Sequence, residues 1–313
     1  MNTGQTTELV EVLPPGSPLR QQALRLILSG QTRPAPDVDR RIGLLQDTAA
    51  GQGMNLDLVV VAFKADQLTA AGLAIESPGR SAFIHLSPLP APGEEYNALV
   101  RVLRELQDRA WRRDRVLLQG MASPDEHPLE LLFAEAGFRF LAEFIYADRD
   151  GRAPIPSLAR EPKLDLLPYS PGRHELFLRA LDQTYAESLD CAGLSGIRRT
   201  EDALAGHRAT GRHDPSLWFL ARLSGETAGV LLLSSLSDRN MLEVVYMGVA
   251  RDLRRRGVGH ALMRKCHEEM ISGAFAGVTL AVDSVNTPAR ALYHRWGFVE
   301  TGRRRAWIAA RPS

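Results

Sequence analysis

Cysteine is scarce in this chain of 313 residues. Cys191 and Cys266 are too few for a disulfide framework, and no metal-ligand spacing surrounds either of them. An excess of one charge is missing too. The formal net charge is +1, which argues against a nucleic-acid binder working by bulk phosphate neutralisation but leaves room for a local anion site. No apolar run approaches membrane-spanning length; the longest, near Leu58–Phe63 and Val230–Leu233, have the length of strands. The opening Met1-Asn2-Thr3-Gly4-Gln5-Thr6-Thr7 lacks the basic-then-apolar order of a signal peptide. The expectation is therefore a reduced, cytoplasmic protein with no metal, no membrane and no nucleic acid among its partners. What is present is an ordinary globular composition, 44% apolar and 24% charged, in a chain long enough for two domains.

The first half alternates strand and helix signals. Residues 9–13 read as a strand, and Leu19, Ala23, Leu24, Ile27 and Leu28 mark one face of a helix. Leu56–Phe63 reads as a buried strand. Ala71–Ile75 and Phe83–Leu86 read as two more around the turn Ser77-Pro78-Gly79-Arg80. Leu99, Leu103, Leu106 and Ala110 form a helical stripe, Val116–Leu118 a strand, Leu129–Ala136 a helix closed by Gly137, and Phe140–Tyr146 a last strand. This is a mixed α/β pattern.

The second half repeats it. Gly137-Phe138 recurs as Gly297-Phe298 after 160 residues, Ala71-Gly72-Leu73 as Ala228-Gly229-Val230 after 157, and the helix opened by Ala98 as that of Ala261 after 163. Offsets this close predict an internal duplication. The expected domains are 1–150 and 164–313, with 151–163 as a linker broken by Pro154, Pro156 and Pro162. In the second copy Leu164–Leu167 is expected to be a strand and Leu176–Tyr185 a helix. The loop Ser188–Leu194 follows, and then a polar segment to Gly211. Trp218–Arg222, Gly229–Leu233, Met241–Val249 and Val278–Val282 are the remaining strands.

Met241–Val249 feeds Arg254-Arg255-Arg256-Gly257-Val258-Gly259, and a helix marked by Ala261, Leu262, Cys266 and Met270 comes next. A strand, a glycine turn and a helix aim free N–H groups and the positive helix end at an anion. The turn departs from the P-loop and from the dinucleotide fingerprint. It resembles the R-x-x-G-x-G turn of the GNAT acetyltransferase superfamily. A second stretch resembles the same family: Asn286, Ala289, Leu292, Tyr293 and Gly297-Phe298 match N-x-x-A-x-x-L/F-Y-x-x-x-G-F. Asn286 is also a good N-cap with Pro288 just inside the helix, and Gly297 a left-handed helix end.

The resemblance implies two tandem GNAT-like domains, each a mixed, mostly antiparallel sheet flanked by helices, using acetyl-CoA as co-substrate and no metal. It places the cofactor against Met247, Gly248 and Val249, against Arg254, Arg255, Arg256, Gly257, Val258, Gly259 and His260, and against Asn286 and Ala289. Tyr293 would be the general acid at the CoA sulfur. By period-two alternation Glu243 shares a face with Val245, Met247 and Val249. The strand Glu243–Val249 is similar to that of tandem GNAT proteins of the mycothiol synthase type, which makes Glu243 the expected general base. In the first copy the matching segment is Ser87-Pro88-Leu89-Pro90-Ala91-Pro92-Gly93, where three prolines remove three N–H donors. That copy is expected to be degenerate, chiefly a scaffold.

The chemistry suits these residue types. An ammonium of pKa about 10.4 is neutral to roughly one part in two thousand at pH 7, so it needs a base, while a thiolate of pKa about 8.5 needs an acid such as tyrosine. The expected function is N-acetyl transfer to the primary amine of a small molecule by a monomer or homodimer. The other readings are a protein lysine or N-terminal amine as acceptor, and a module that binds acyl-CoA without turnover. Asp190 reads as a turn-former in preference to a contact for a cation in the acceptor cleft, Cys191 as inert, His207 and His213 as surface residues, Trp296 as packing under Gly297, and Arg303-Arg304-Arg305 as a solvated strand.

Overall fold

The computed structural model describes residues 9–29, 37–91, 93–157, 161–236 and 239–312; the opening heptapeptide, Pro92 and linker positions 158–160 lie outside the described residues. The first half runs β1 (Leu9–Leu13), α1 (Leu19–Ser29), α2 (Val38–Gly51), β2 (Asn55–Lys64), β3 (Gln67–Ser77), β4 (Ser81–Leu86), α3 (Glu94–Arg112), β5 (Leu117–Ala122), α4 (His127–Glu135) and β6 (Arg139–Asp150). The second runs β7 (Asp165–Pro168), α5 (His174–Tyr185), α6 (Thr200–Arg208), β8 (Trp218–Leu223), β9 (Glu226–Leu236), β10 (Met241–Val249), α7 (Val258–Ser272), β11 (Gly277–Asp283), α8 (Thr287–Arg295) and β12 (Val299–Ala310). Short 3-10 turns aside, one order of strands and helices occurs twice. Both copies end their last helix on a left-handed glycine, Gly137 at φ 84° and Gly297 at φ 82°.

Two helices go beyond the sequence expectation. α6 stands in the stretch expected to be merely polar, and α2 is its counterpart in the first half. Neither carries a full apolar stripe. α2 buries only Ile42 and Ala49, and α6 buries Asp202, Ala203 and Leu204.

The central strands are apolar throughout because both of their faces are covered. Leu58, Val60 and Ala62 of β2 pack with α3 and α4, while Val59 and Val61 pack with α1 and α2. β9 behaves alike: Leu231 and Leu233 join the core beneath α7 and α8, and Val230 and Leu232 join the core beneath α5 and α6. The pairs β1–β2, β2–β3, β3–β4, β6–β11, β7–β8, β8–β9 and β9–β10 are antiparallel, and β4–β5 and β10–β11 are parallel.

The chain folds as two compact units that are not cut in sequence order. Unit 1 is Met1–Phe140 with Ala306–Ser313, and unit 2 is Leu141–Arg305. These limits depart from the expected 1–150 and 164–313 because β6, the last strand of the first half, pairs with β11 from Phe144 to Asp150. Unit 1 therefore holds β1-β2-β3-β4-β5 and the end of β12, and unit 2 holds the start of β12 and β6-β11-β10-β9-β8-β7. No helix among the described residues is long and apolar enough to cross a membrane.

Candidate active site

Unit 2 opens where two of its strands part. β10 and β11 pair in parallel only from Met241 with Gly277 to Val244 with Leu280, whereas β10 stays beside β9 as far as Val249. Past Val244 the pairing of β10 with β11 ends, so among the described residues that edge has no strand partner there and can offer backbone polar groups to a ligand. A β-bulge sits at the same point: the register against β9 shifts between Val244 and Tyr246.

The bulge corrects the expected face of Glu243. Leu242 and Val244 pack into the core beneath α7 and α8, as Met247 and Val249 do beyond the bulge. Val245 and Tyr246 pack into the opposite core, beneath α5 and α6. Alternation restarts at the extra residue, so Glu243 shares a face with Val245 and not with Met247 or Val249.

A cavity of 260 Å³ fills the gap between the strands. Its walls are Val244–Val249 of β10, Leu280–Val282 of β11, Asn286, Ala289, Leu292 and Tyr293 around α8, and Arg254, Arg255 and Gly259 of the glycine turn. Thr184 at the end of α5 and Ser188–Asp190 in the following loop close it. Asn286 acts as the expected N-cap, its Oδ1 accepting from the Ala289 N–H at 3.3 Å.

The glycine turn divides its residues between scaffold and cavity. Gly257 caps α7 at φ 84° and Arg255 is also left-handed at φ 62°. α7 has no acidic residue in its first turn, and its first N–H groups have no acceptor within the helix. The Arg254 guanidinium is engaged by the chain itself: it donates to the carbonyls of Thr184 (3.2 Å), Ala186 (2.7 Å), Glu187 (2.9 Å) and Val249 (3.2 Å). Arg254 thus ties the end of α5 to the turn. Gly259 admits α8, since a Cβ there would sit 3.2 Å from Leu292 Cδ2. Val258 and His260 are buried, and His260 Nδ1 accepts from Trp296 Nε1 at 3.1 Å. Of the residues expected at the cofactor, Arg256, Gly257, Val258 and His260 do not line the cavity; Met247, Gly248, Val249, Arg254, Arg255, Gly259, Asn286 and Ala289 do.

Tyr293 lines the cavity from α8 and is buried against Phe298 at 5.6 Å between ring centroids. Burial pushes its phenol well up, with the charges of Asp190 and Cys266 adding to the effect, so it is a protonated group facing the gap. Glu243 stands apart. It does not line the cavity, its register partners are Ser234 and Thr279, and burial raises its carboxyl against the opposing pull of Arg239. The structure therefore sets Tyr293 beside Met247 and Gly248 and does not set Glu243 with them.

The loop after α5 is pinned to the end of β11. Asp190 Oδ1 accepts the Asp283 N–H at 3.1 Å, and Asp283 Oδ2 accepts the Cys191 N–H at 3.1 Å. Cys191 is left-handed at φ 49°, and burial and the two aspartates push its thiol up, which fits an inert group. Two expectations fail here. His207 is no surface residue: it stacks on Tyr246 at 5.5 Å, its Nε2 meets Tyr185 Oη at 3.1 Å, and burial lowers its pKa to about 3. His213 packs against Trp218 at 4.5 Å. Both are drawn in by aromatic rings that a polar sequence segment does not reveal. The sequence expectation also lacked Thr184 and Tyr246, whose hydroxyls meet at 2.8 Å; an aromatic inside the bulged strand was the available signal. Trp296 is fully buried as expected, and Arg303 pairs with Glu300 (2.7 Å) and Glu143 (2.8 Å) on β12.

This arrangement has a known counterpart. Residues 181–298 match the acetyltransferase (GNAT) family. The matched stretch lies within unit 2 and contains the bulge, the glycine turn and α8 through Phe298. An N-acetylaspartate synthetase of Danio rerio is 30% identical over 87 residues, which are 28% of this chain and 31% of that protein. The chain thus matches about a third of the length of this curated relative. A GCN5-related N-acetyltransferase from Sphaerobacter thermophilus superimposes with a TM-score of 0.64 at 19% identity, over 98% of this chain and 96% of that one. A tandem GNAT protein from the clavulanic acid biosynthesis pathway does so with a TM-score of 0.55 at 18% identity, over 98% and 100%. At these identities the two structures attest the fold, and the fold includes both halves of the chain.

Proposed function

We propose that unit 2 transfers an acetyl group from acetyl-CoA to the primary amine of a small molecule, and that unit 1 serves as scaffold. The observation that carries this is the parting of β10 from β11 beside the bulge, with Tyr293 and the start of α7 turned to the same cavity. The donor set suits a CoA diphosphate: a helix start free of acidic side chains, reached through the left-handed Gly257. Arg254 holds the turn in shape from behind, so the main-chain N–H groups and Arg255 are left to meet phosphate. Acetyl-CoA supplies the acyl group as an activated thioester.

The residues of the chain would do the rest. Free N–H groups on the β10 edge near Met247 and Gly248 offer hydrogen bonds to a carbonyl oxygen as charge builds on it. Tyr293, a phenol that is protonated at neutral pH and kept so by its burial, gives its proton to the departing sulfur. Glu243, raised toward neutrality by burial, accepts the amine proton through water, because it lies on the far face of β10 and outside the cavity. Its strand, similar to that of the mycothiol synthase type, supports the same role. The name of the matched synthetase favours a small acceptor over a protein.

Calorimetry with acetyl-CoA and a thiol-release assay over a panel of amines test the proposal together. Tyr293→Phe is expected to lower kcat by about a hundredfold while acetyl-CoA affinity changes less than about twofold. Unchanged turnover removes Tyr293 as the acid. Tight binding without amine-dependent release would make the chain a sensor instead.

A further inference from the structure

We infer, building on the acetyltransferase reading, that Tyr246 selects primary amines: its phenol oxygen accepts the acceptor N–H that survives in the amide product. Cofactor and acceptor reach the cavity from opposite faces of β10. Met247, Val249, Val258 and Tyr293 belong to the face beneath α7 and α8, the side given above to acetyl-CoA. Thr184, Ser188, Leu189, Asp190 and Tyr246 line the same cavity from the side of α5, which leaves that side to the amine. The phenol stands in an aromatic wall that holds it in place. Its ring lies 5.2 Å from that of Tyr185 and 5.5 Å from that of His207, and those two side chains meet each other at 3.1 Å. Its oxygen lies over Gly248, where a Cβ would collide with it. Met247 and Gly248 are the residues whose N–H groups are proposed to meet the thioester oxygen, so the phenol oxygen adjoins the place of attack.

Counting hydrogens fixes the direction of its proton. Thr184 Oγ1 meets the Leu181 carbonyl at 2.9 Å and Tyr246 Oη at 2.8 Å. A carbonyl only accepts and a hydroxyl has one proton, so Thr184 donates to Leu181 and Tyr246 donates to Thr184. Tyr246 is left with lone pairs, and no proton, to offer the cavity. Burial, with Tyr185 adding to it, pushes the phenol well up, so it stays neutral and accepts a hydrogen bond without taking the proton. A neutral primary amine carries two N–H bonds. As the C–N bond forms and the C–S bond breaks, one amine proton leaves to the proposed base Glu243, and the sulfur takes the proton of Tyr293. The second N–H stays in the amide. Tyr246 accepts that one, which turns the nitrogen lone pair toward the thioester carbon. A secondary amine gives its only N–H to the base and leaves the Tyr246 oxygen unpaired.

The test is thiol release by the full chain saturated with acetyl-CoA. The probes are alkylamines, diamines, amino sugars and amino acids, each paired with its N-methyl derivative. The best primary amine is expected to exceed its N-methyl partner in kcat/KM by about tenfold or more. Tyr246→Phe should lower kcat/KM for that primary amine by about tenfold and leave the N-methyl value within about twofold. Acetyl-CoA affinity should stay within about twofold, which shows that the variant is folded. Thr184→Val keeps the phenol but frees its proton to turn toward the amine, and should cost the primary amine about threefold. The proposal is overturned if N-methyl amines match their parents or if Tyr246→Phe spares the primary amine. It is overturned as well if the preference shrinks because the N-methyl value rises, which marks steric exclusion alone. Release that Tyr246→Phe does not alter defeats this contact and keeps the transferase reading. No release from any amine defeats the transferase reading and this contact with it.

Discussion

Unit 1 and unit 2 each contain a strand, a turn and a helix at the same place in the element order, and the two segments differ in three ways. β4 runs against β3 in unbroken register from Ser81 to Leu86, while β10 breaks register at Val245. The segment after β4 holds Pro88 and Pro90, whereas the one after β10 reaches the left-handed Gly257. α3 opens with Glu94 and Glu95, and α7 has no acidic side chain in its first turn. Carboxylates at a helix start occupy the positive end of the helix and repel a second anion. Glu94 is in addition held by Lys64. The comparison shows what the fold requires and what the site requires. Apolar strands and a buried helix face build either unit. The site proposed for a diphosphate and a thioester adds a bulge and a helix end without acidic side chains.

If the bulge matters as much as this contrast says, the largest effect comes from closing the space around it. A Cβ on Gly248 would lie 2.3 Å from Tyr246 Oη and 2.7 Å from Thr184 Cβ. Gly248→Val is expected to destabilise the protein by about 1–3 kcal/mol and to lower turnover by at least about a hundredfold. A variant that folds and retains more than a tenth of wild-type kcat would show that the bulge is incidental.

A somewhat smaller effect is expected on the far face of β10. Glu243→Gln should lower kcat/KM by about a hundredfold at pH 7. Burial raises the Glu243 carboxyl, so the proposed base is lost as pH falls through a value above the usual carboxylate range. The wild-type pH–rate profile should therefore show an acid limb there, and Glu243→Gln should lack it. A limb of unchanged position in the variant would assign the base elsewhere.

The aromatic wall gives the smallest effect, and one read in stability. His207 is neutral in the fold with a pKa of about 3, against about 6.5 when unfolded. The unfolded chain binds more protons between those values, so this contribution is fully present above about pH 6.5 and is lost as pH falls toward 3. His207→Phe should flatten the fall in denaturation midpoint between pH 6.5 and 4, and an identical slope in the variant would contradict the burial of a neutral ring.

Much of this is legible in the sequence. Strands buried on both faces announce themselves as apolar runs, and Asn286 and Gly297 announce the limits of α8 by local capping chemistry. Other features depend on partners distant in sequence. Alternation counted through Glu243–Val249 cannot register an extra residue, because a bulge is a mismatch with β9 and leaves no mark on β10 alone. Arg254 fits the motif by spacing, while its four carbonyl partners lie partly in α5, some seventy residues earlier. The unit limits were equally hidden. β6 and β12 read as ordinary final strands, and only pairing shows that each passes from one unit to the other.

The contrast between the two units is tested most directly by the stoichiometry of acetyl-CoA binding to the full chain. Titration calorimetry is expected to give one site per chain. Gly257→Val, which forces a branched side chain into a left-handed φ of 84°, should abolish that site while the fold persists by circular dichroism. Two sites per chain, or one site that survives Gly257→Val, would contradict the assignment of binding to the start of α7.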